Sequence, residues 1–301
     1  MACHRDDLCD VANVGTMALP SSFPELAALD LLCSVVAHGS LSRAAREHGI
    51  TQPSASSRIR TLERQLGVTV LERSPTGSRP TPDGQLIASW AEAVVEAAQH
   101  LSTGVDALRA RQAGLLRIAA SYTIAEYLLP PWLDRFLEQR PDDSVTLDVT
   151  NSRAVLERVE SGSVDLGFIE SPSAPSGVHQ QIVGTDELVV VVSPRHRWAA
   201  LRSIDLETFA ATPLVVRERG SGTREALQEE LIRLGFDPPA SALELGSLSA
   251  VRIAVINGSA PTVISQLAIA DDVAAGRLVE VEVPGLHLER RLLAVWSTHS
   301  E

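Results

Sequence analysis

The sequence predicts an α/β protein in two parts: a small, mainly helical N-terminal domain that runs into one long helix, and a larger two-lobed α/β domain. Three observations carry this reading. Apolar residues between Leu29 and Leu66 recur at helical spacing in three short bursts separated by Gly39 and Gly49. A single helical stripe then runs unbroken from Leu86 to Leu108, and beyond Gly114 short apolar runs alternate with amphipathic stretches.

The first burst places Leu29, Leu32, Cys33 and Val36 on one helix face, and the second does the same for Leu41, Ala44 and Ala45. In the third, Ala55, Ile59, Leu62 and Leu66 are spaced by four, three and four and pack inward. Thr51 suits the N-cap and Pro53 the first turn, where a missing N–H costs little. Three short helices with this turn form a helix-turn-helix. The outward residues Gln52, Ser54, Ser56, Ser57 and Arg58 are small hydrogen-bonding groups and a guanidinium, suited to base edges and phosphates in a major groove. An ordinary three-helix packing unit with a solvated polar face fits the periodicity equally well.

Charge separates the two readings. From Arg43 to Arg79 there are seven arginines and three glutamates, a local balance of +4 in a chain of net charge −12. A basic island in an acidic body is the footprint of a nucleic-acid module, so double-stranded DNA is the expected partner. Next, residues 68–73 are expected as a strand and 74–80 as a turn, a wing that brings Arg73 and Arg79 to the DNA backbone.

Thr81 is the expected cap of the long helix and Pro82 its first residue. Leu86, Trp90, Val94, Ala97, Leu101, Val105 and Leu108 follow at spacings of four, four, three, four, four and three. Such a stripe needs a partner: a second copy of the chain in antiparallel pairing, or the chain's own C-terminal domain. A homodimer sets two reading helices on half-sites one or two helical turns apart, about 34 Å per turn, and so expects an interrupted palindrome. Residues 111–114 end the stripe as a hinge.

From Leu115 onward the expected strands include 145–149, 166–169, 188–192, 214–216, 242–245 and 262–264, with amphipathic helices such as 154–159 and 224–234 between them. This is the pattern of a parallel α/β sheet in two halves, with 278–283 and 291–296 returning to complete the first. The expected divisions are an extension without order over 1–20, the helix-turn-helix domain over 21–81, linker helix and hinge over 82–113, and the two-lobed domain over 114–301. Its first lobe spans 114–190 and 275–301, its second 191–274.

All 26 basic residues are arginine. The three cysteines, Cys3, Cys9 and Cys33, lie before the second helix, so no disulfide framework is available to the larger domain. Cys3-His4 with Cys9 is too poor a ligand set for a metal site, and none is expected. No export signal or membrane span is read, Met17 is a second candidate start, and the expected location is the cytoplasm.

Residues 24–108 resemble the winged helix-turn-helix and linker helix of LysR-type transcriptional regulators. Ala44-Ala45, Thr51-Gln52-Pro53, Ser56, Ile59, Leu62-Glu63, Gly67, Glu72-Arg73 and Thr81-Pro82-Asp83-Gly84 match that family's ordered series. The resemblance implies that Gln52, Pro53 and Ser56 line or read the groove and that Arg73 anchors a phosphate. Where the family usually has arginine after the helix serine, this chain has Ser57 and then Arg58. Residues 120–130, Asp165-Leu166-Gly167 and Gly220-Ser221-Gly222-Thr223-Arg224 resemble the same family's effector domain, similar to periplasmic solute-binding proteins of type 2. The resemblance implies a regulator working as a dimer or as a tetramer built from dimers, with RNA polymerase as a further partner and a small effector as the signal.

In that fold, ligands meet strand C-termini and helix N-termini. Ser121, Tyr122 and Thr123 fall in the first strand-to-helix turn, Asn151 in the second, and Ser171 after the third strand, while Gly222 with Thr223, and Ser247, open two further helices. Backbone amides and hydroxyls at helix starts suit a small anion, although each hydroxyl also fits a plain helix cap. Two other functions are weighed. The eight histidines are scattered and no nucleophile elbow or phosphate-loop lysine appears, so neither an enzyme nor a cofactor is expected. A free-standing solute-binding protein does not account for the basic helix-turn-helix.

Overall fold

The computed structural model describes residues 19–20, 23–74, 77–112, 114–171 and 175–298. Most of the expected unordered extension, including Cys3, His4, Cys9 and Met17, lies outside the described residues. The chain divides into two compact units, 1–99 and 100–301.

In the first unit, α1 (Leu26–His38), α2 (Leu41–Glu47) and α3 (Gln52–Leu66) enclose a core of Leu31, Leu32, Val35, Ala44, Ala55, Ile59 and Leu62. Thr51 caps α3 by accepting from the Ser54 amide at 3.3 Å, with Pro53 in the first turn. The wing differs from expectation. Its strands are β1 (Leu71–Ser74) and β2 (Gly77–Pro80), paired antiparallel, so residues 68–70 stay outside the strand and much of the expected turn is itself strand. The reason is local: both the Val70 and Leu71 amides donate to the Glu63 carboxylate, at 3.0 and 3.2 Å, which occupies the entry to β1 from the end of α3.

The long helix α4 (Pro82–Gln112) begins as expected, with Thr81 Oγ1 accepting from the Gly84 amide at 2.9 Å. Ala88 and Ala91 are buried in the helical core, with Ile87 and Val95 against it. The predicted stripe is a different face. Leu86, Trp90, Val94, Leu101 and Val105 are exposed, Trp90 by 62% and Leu101 by 71%. The side chain of Leu108 is outside the described residues.

In the second unit, β3 (Leu115–Ser121), α5 (Tyr122–Tyr127), α6 (Leu129–Gln139), β4 (Ser144–Thr150), α7 (Ser152–Glu160) and β5 (Leu166–Ser171) alternate as a parallel α/β segment. Next comes β6 (Val178–Val192), a strand of 15 residues. The chain continues through α8 (Arg197–Leu201), α9 (Leu206–Ala210), β7 (Leu214–Arg217), α10 (Gly222–Arg233), β8 (Ser241–Leu245), α11 (Leu248–Ile256), β9 (Thr262–Ser265) and α12 (Gln266–Ala274). It closes with β10 (Val279–Glu280) and β11 (Glu289–Ser297).

The strand order is β4-β3-β5-β11-β6-β9-β7-β8, with β10 also on β6. The sheet is mixed rather than parallel throughout, because β11 runs antiparallel to β5 and β6, and β6 antiparallel to β9. The expected strand 188–192 is only the end of β6, whose first half, rich in His, Gln, Gly and Thr, lacks an apolar run. Within the expected return at 278–283, β10 holds just two residues. One apolar cluster forms around β3, β5 and β11, with Ile118, Ile124, Leu129 and Leu292; another lies around β6, β7 and β9, with Val190, Trp198, Phe209, Leu214 and Val263.

Gly84 sits where α4 crosses the entry to the wing, and a Cβ there would collide with the Val70 carbonyl. Gly84→Ala is expected to cost about 1–3 kcal/mol through this overlap. Chemical denaturation of the full chain checks it; an unchanged midpoint would mean that α4 and the wing do not approach this closely.

Candidate functional site

The nucleic-acid face is built on α3. Thr51, Gln52, Pro53, Ser54 and Ser57 are exposed, whereas Ser56 and Arg58 are half-buried. Arg58 lines a shallow cavity of about 310 Å³ with Glu25, Ser54, Ser57, Thr61 and Gln65. Arg79 is exposed on β2; Arg73 lies in β1 but its side chain is outside the described residues. Arg43, Arg46, Arg58, Arg60 and Arg79 make no ion pair among the described residues, so their charge is available to a polyanion. Two of the three glutamates of this region are otherwise engaged: Glu63 holds the wing, and Glu47 bonds His38 at 2.7 Å, a contact that keeps its carboxyl below the usual range.

The second site lies where the strands of the larger unit end against helix starts, and its centre is Arg290, fully buried on β11. Its Nε and Nη2 donate to Asp186 Oδ2 at 2.9 and 2.6 Å. Nη1 donates to Glu170 Oε2 at 2.9 Å and to Thr223 Oγ1 at 2.8 Å, while Nη2 also reaches Thr123 Oγ1 at 3.0 Å. The far oxygens of both carboxylates are engaged too. Glu170 Oε1 accepts from the Thr123 amide at 3.0 Å, and Asp186 Oδ1 from Ser265 Oγ at 2.8 Å. One guanidinium thus ties α5 and β5 to α10, β6 and the end of β9.

Around this cluster the helix starts approach closely. Gly222 opens α10 against the Glu170 carbonyl, where any Cβ would collide. The Tyr122 ring lies under the Arg217 guanidinium, 4.6 Å from its centroid, and Arg217 forms a two-pronged pair with Glu218 at 2.8 and 2.9 Å. Burial raises the Glu218 carboxyl, but the Arg217 hydrogen bonds and charge outweigh it and hold it below the usual range.

The predicted cleft residues divide by what they touch. Thr123 and Thr223 meet at Arg290. Ser121 is buried, and its Oγ has no hydrogen-bond partner among the described residues. Asn151 and Ser247 serve as helix caps, accepting from the Ala154 amide at 3.0 Å and the Ala250 amide at 3.4 Å. Asn151 also reaches the Arg219 carbonyl at 3.5 Å, which places it beside the approach to α10. Ser171 is half-buried at the end of β5, opposite Arg291 in the ladder. Sequence reasoning missed Arg290, Glu170 and Asp186. Each flanks an apolar run it had marked, and charged residues at such places are the available signal; their pairing across 104 and 120 residues is not.

The family description "LysR substrate binding domain" matches residues 109–301, and "Bacterial regulatory helix-turn-helix protein, lysR family" matches 26–85. The chain is 42% identical over 294 residues to an HTH-type transcriptional regulator of Mycobacterium tuberculosis, covering 93% of each. It is 33% identical over 271 residues to the HTH-type transcriptional regulator YeiE of Escherichia coli, covering 90% of this chain and 89% of YeiE. The regulatory domain of Synechocystis CcmR, solved in complex with 2-PG, is 28% identical, with a TM-score of 0.56 over 62% of this chain and 89% of that one. OxyR of Corynebacterium glutamicum, 23% identical, shares the fold with a TM-score of 0.54 over 92% of this chain and 88% of that one.

The chain belongs to the LysR family: it is a helix-turn-helix transcriptional regulator with an effector-binding domain. Among the described residues no helix is long and apolar enough to cross a membrane, and no group of three or more His, Cys, Asp and Glu is placed to hold a metal ion.

Arg290→Met removes the cation from between two buried carboxylates. It is expected to cost about 3–5 kcal/mol of stability, the penalty for an uncompensated buried charge, measured by urea denaturation. A loss below about 1 kcal/mol would show that water reaches Glu170 and Asp186.

Proposed function

We propose that this regulator binds an interrupted palindrome in double-stranded DNA as a homodimer, assembling further into a homotetramer, and that a small anionic effector controls its output. The observation that carries the DNA reading is the exposed polar face of α3 beside five arginines that make no ion pair among the described residues, in a chain whose net charge is −12. Gln52, Pro53, Ser54, Ser56 and Ser57 line the groove and read base edges; Thr51, Arg58, Arg73 and Arg79 serve the phosphates. The division into a helix-turn-helix domain over 21–81, a linker over 82–113 and an effector domain over 114–301 follows the same reading. The protein acts in the cytoplasm without catalysis or cofactor, with RNA polymerase as a further partner.

The exposed stripe of Leu86, Trp90, Val94, Leu101 and Val105 supports dimerisation, since five large apolar side chains on one helix face favour a second copy as cover. Trp90→Glu combined with Leu101→Glu is expected to give a monomer by light scattering. A dimer unchanged by both would place the interface elsewhere.

The effector is proposed to bind where Ser121, Tyr122, Thr123, Gly222 and Thr223 converge, with Asn151, Ser171 and Ser247 at neighbouring helix starts. Buried hydroxyls and the start of α10 favour negative charge without needing a free cation. Thermal unfolding of the full chain against small anions tests this: ligand at a hundredfold over its Kd should add about 2.7 kcal/mol. No shift from any anion would sink the anionic effector. For DNA, Gln52→Ala should lose about 1–3 kcal/mol of discrimination between operator and random sequence while keeping its affinity for random DNA. An equal loss on both would reassign Gln52 to the phosphate backbone.

A further inference from the structure

We propose that the larger unit carries a second binding site, remote from the Arg290 cluster, which takes the phosphate or diphosphate group of a small soluble compound on Arg195 and Arg197.

The site is a cavity of about 510 Å³ past the end of β6, lined by Ser193, Arg195, His196, Arg197, Asn257 and Gly258. β6 leaves the Arg290 cluster at Asp186, and the chain reaches Ser193 seven residues later, about 23 Å away at about 3.3 Å per residue. The cavity therefore lies at the opposite end of the strand from the helix starts proposed to meet the effector. Its volume falls within the roughly 300–1,000 Å³ of small-molecule sites, more than a bare phosphate fills.

Charge marks the ligand. Arg195 and Arg197 are exposed, and their side chains make no ion pair or hydrogen bond among the described residues. The two segments that line the cavity supply no carboxylate to answer them, since 188–204 and 245–270 contain neither Asp nor Glu. Two whole positive charges are thus left open at one hollow of a chain whose net charge is −12. A single carboxylate matches only one of them. A phosphate ester or diphosphate carries charge and acceptor oxygens for both forks.

The neutral groups add donors at the same place. His196 Nδ1 accepts from the Trp198 amide at 3.2 Å, which puts the hydrogen of the neutral ring on Nε2. Burial, and then the Arg197 charge, push the imidazole pKa below its ordinary value, so at pH 7 the ring is an uncharged donor. Trp198 stands edge-on to that ring, 5.0 Å between centroids. Ser193 is only 3% exposed; its Oγ accepts from the Arg195 amide at 3.4 Å, and its hydrogen has no acceptor among the described residues. Beside it Gly258 has φ +89°, and a Cβ there would stand 3.9 Å from Ser193 Oγ, so glycine keeps the space next to the hydroxyl open. The Asn257 side-chain amide, exposed at the end of α11, has no hydrogen-bond partner among the described residues.

Titration calorimetry of the full chain at pH 7 and fixed ionic strength tests this, with pyrophosphate as the probe. Pyrophosphate should bind saturably. Arg195→Ala combined with Arg197→Ala, both at exposed positions, should weaken it at least about tenfold. Ser193→Ala and Asn257→Ala change no charge and should each weaken it by about threefold to fivefold. A second arm offers random-sequence duplex DNA and phosphatidic acid vesicles to the native chain and to the double variant. The two proteins should bind each of these within about threefold of one another.

No pyrophosphate binding to the native chain would overturn the site, as would equal binding by the double variant, which would place the anion elsewhere. A loss confined to the arginine variant, with Ser193→Ala and Asn257→Ala unchanged, would reduce the site to unspecific attraction and overturn it too. DNA or vesicle binding that the double variant loses would give the two arginines to that polyanion instead.

Discussion

A fully buried guanidinium can persist only if nearly every donor has an acceptor and its charge has an answer, and this requirement organises the larger unit. Arg290 meets it with Asp186 on β6, Glu170 on β5, Thr123 on α5 and Thr223 on α10. Ion pairs on the surface impose no such order; Arg109–Asp106 and Arg153–Glu157, both highly exposed, contribute about 0–1 kcal/mol each. The buried cluster matters less for net stability than for geometry, because moving Glu170 or Asp186 strands a charge away from water. It holds in register a strand from the end of the chain, two from its middle, and the starts of α5 and α10. The Gly222 contact with the Glu170 carbonyl follows from that register, since the two elements are drawn closer than a side chain allows.

The helical unit shows the same logic with one carboxylate. Glu63, in the last turn of α3, receives two amides at the entry to β1, so α3 and the wing are joined by charge-assisted hydrogen bonds. Thr81 links the wing to α4 in both directions, donating to the Thr69 carbonyl at 2.8 Å and accepting from the Gly84 amide. Together these bonds make α3, the wing and the first turn of α4 one rigid piece. In the dimer proposed above, pairing through the exposed stripe of α4 would set the distance between two groove-facing helices, which a single copy cannot do.

How much of this was legible in the sequence depends on how local the cause is. The three helices, the cap at Thr51, the start of α4 and most strands of the larger unit rest on periodicity and nearest neighbours, and the sequence read them closely. The wing was misplaced by a few residues because Glu63, which decides where β1 begins, lies seven residues upstream and was read only as part of a motif. The first half of β6 escaped because its partner, β11, is supplied from more than a hundred residues later. Of the expected effector residues, Asn151 and Ser247 cap α7 and α11, a local role that hydroxyl and amide side chains at helix starts can fill whether or not a ligand is near. Arg290 was invisible for the opposite reason: an arginine before an apolar strand reads as a surface residue until its two carboxylates arrive from elsewhere in the chain.

The placement of the cluster bears on regulation. An effector can shift a regulator between states only by the difference in its affinity for them, and moving a two-state equilibrium from 1:99 to 99:1 takes about 5.5 kcal/mol. A small oxyanion held by a few hydroxyls and amides gains that difference only if the groups it needs are well aimed in one state and scattered in the other. Thr123 and Thr223 belong to different helices and share one guanidinium, so they are aimed together or not at all. A rearrangement that separates α5 from α10 must break a threonine hydrogen bond at Arg290, while the ion pairs to Glu170 and Asp186 remain within the sheet.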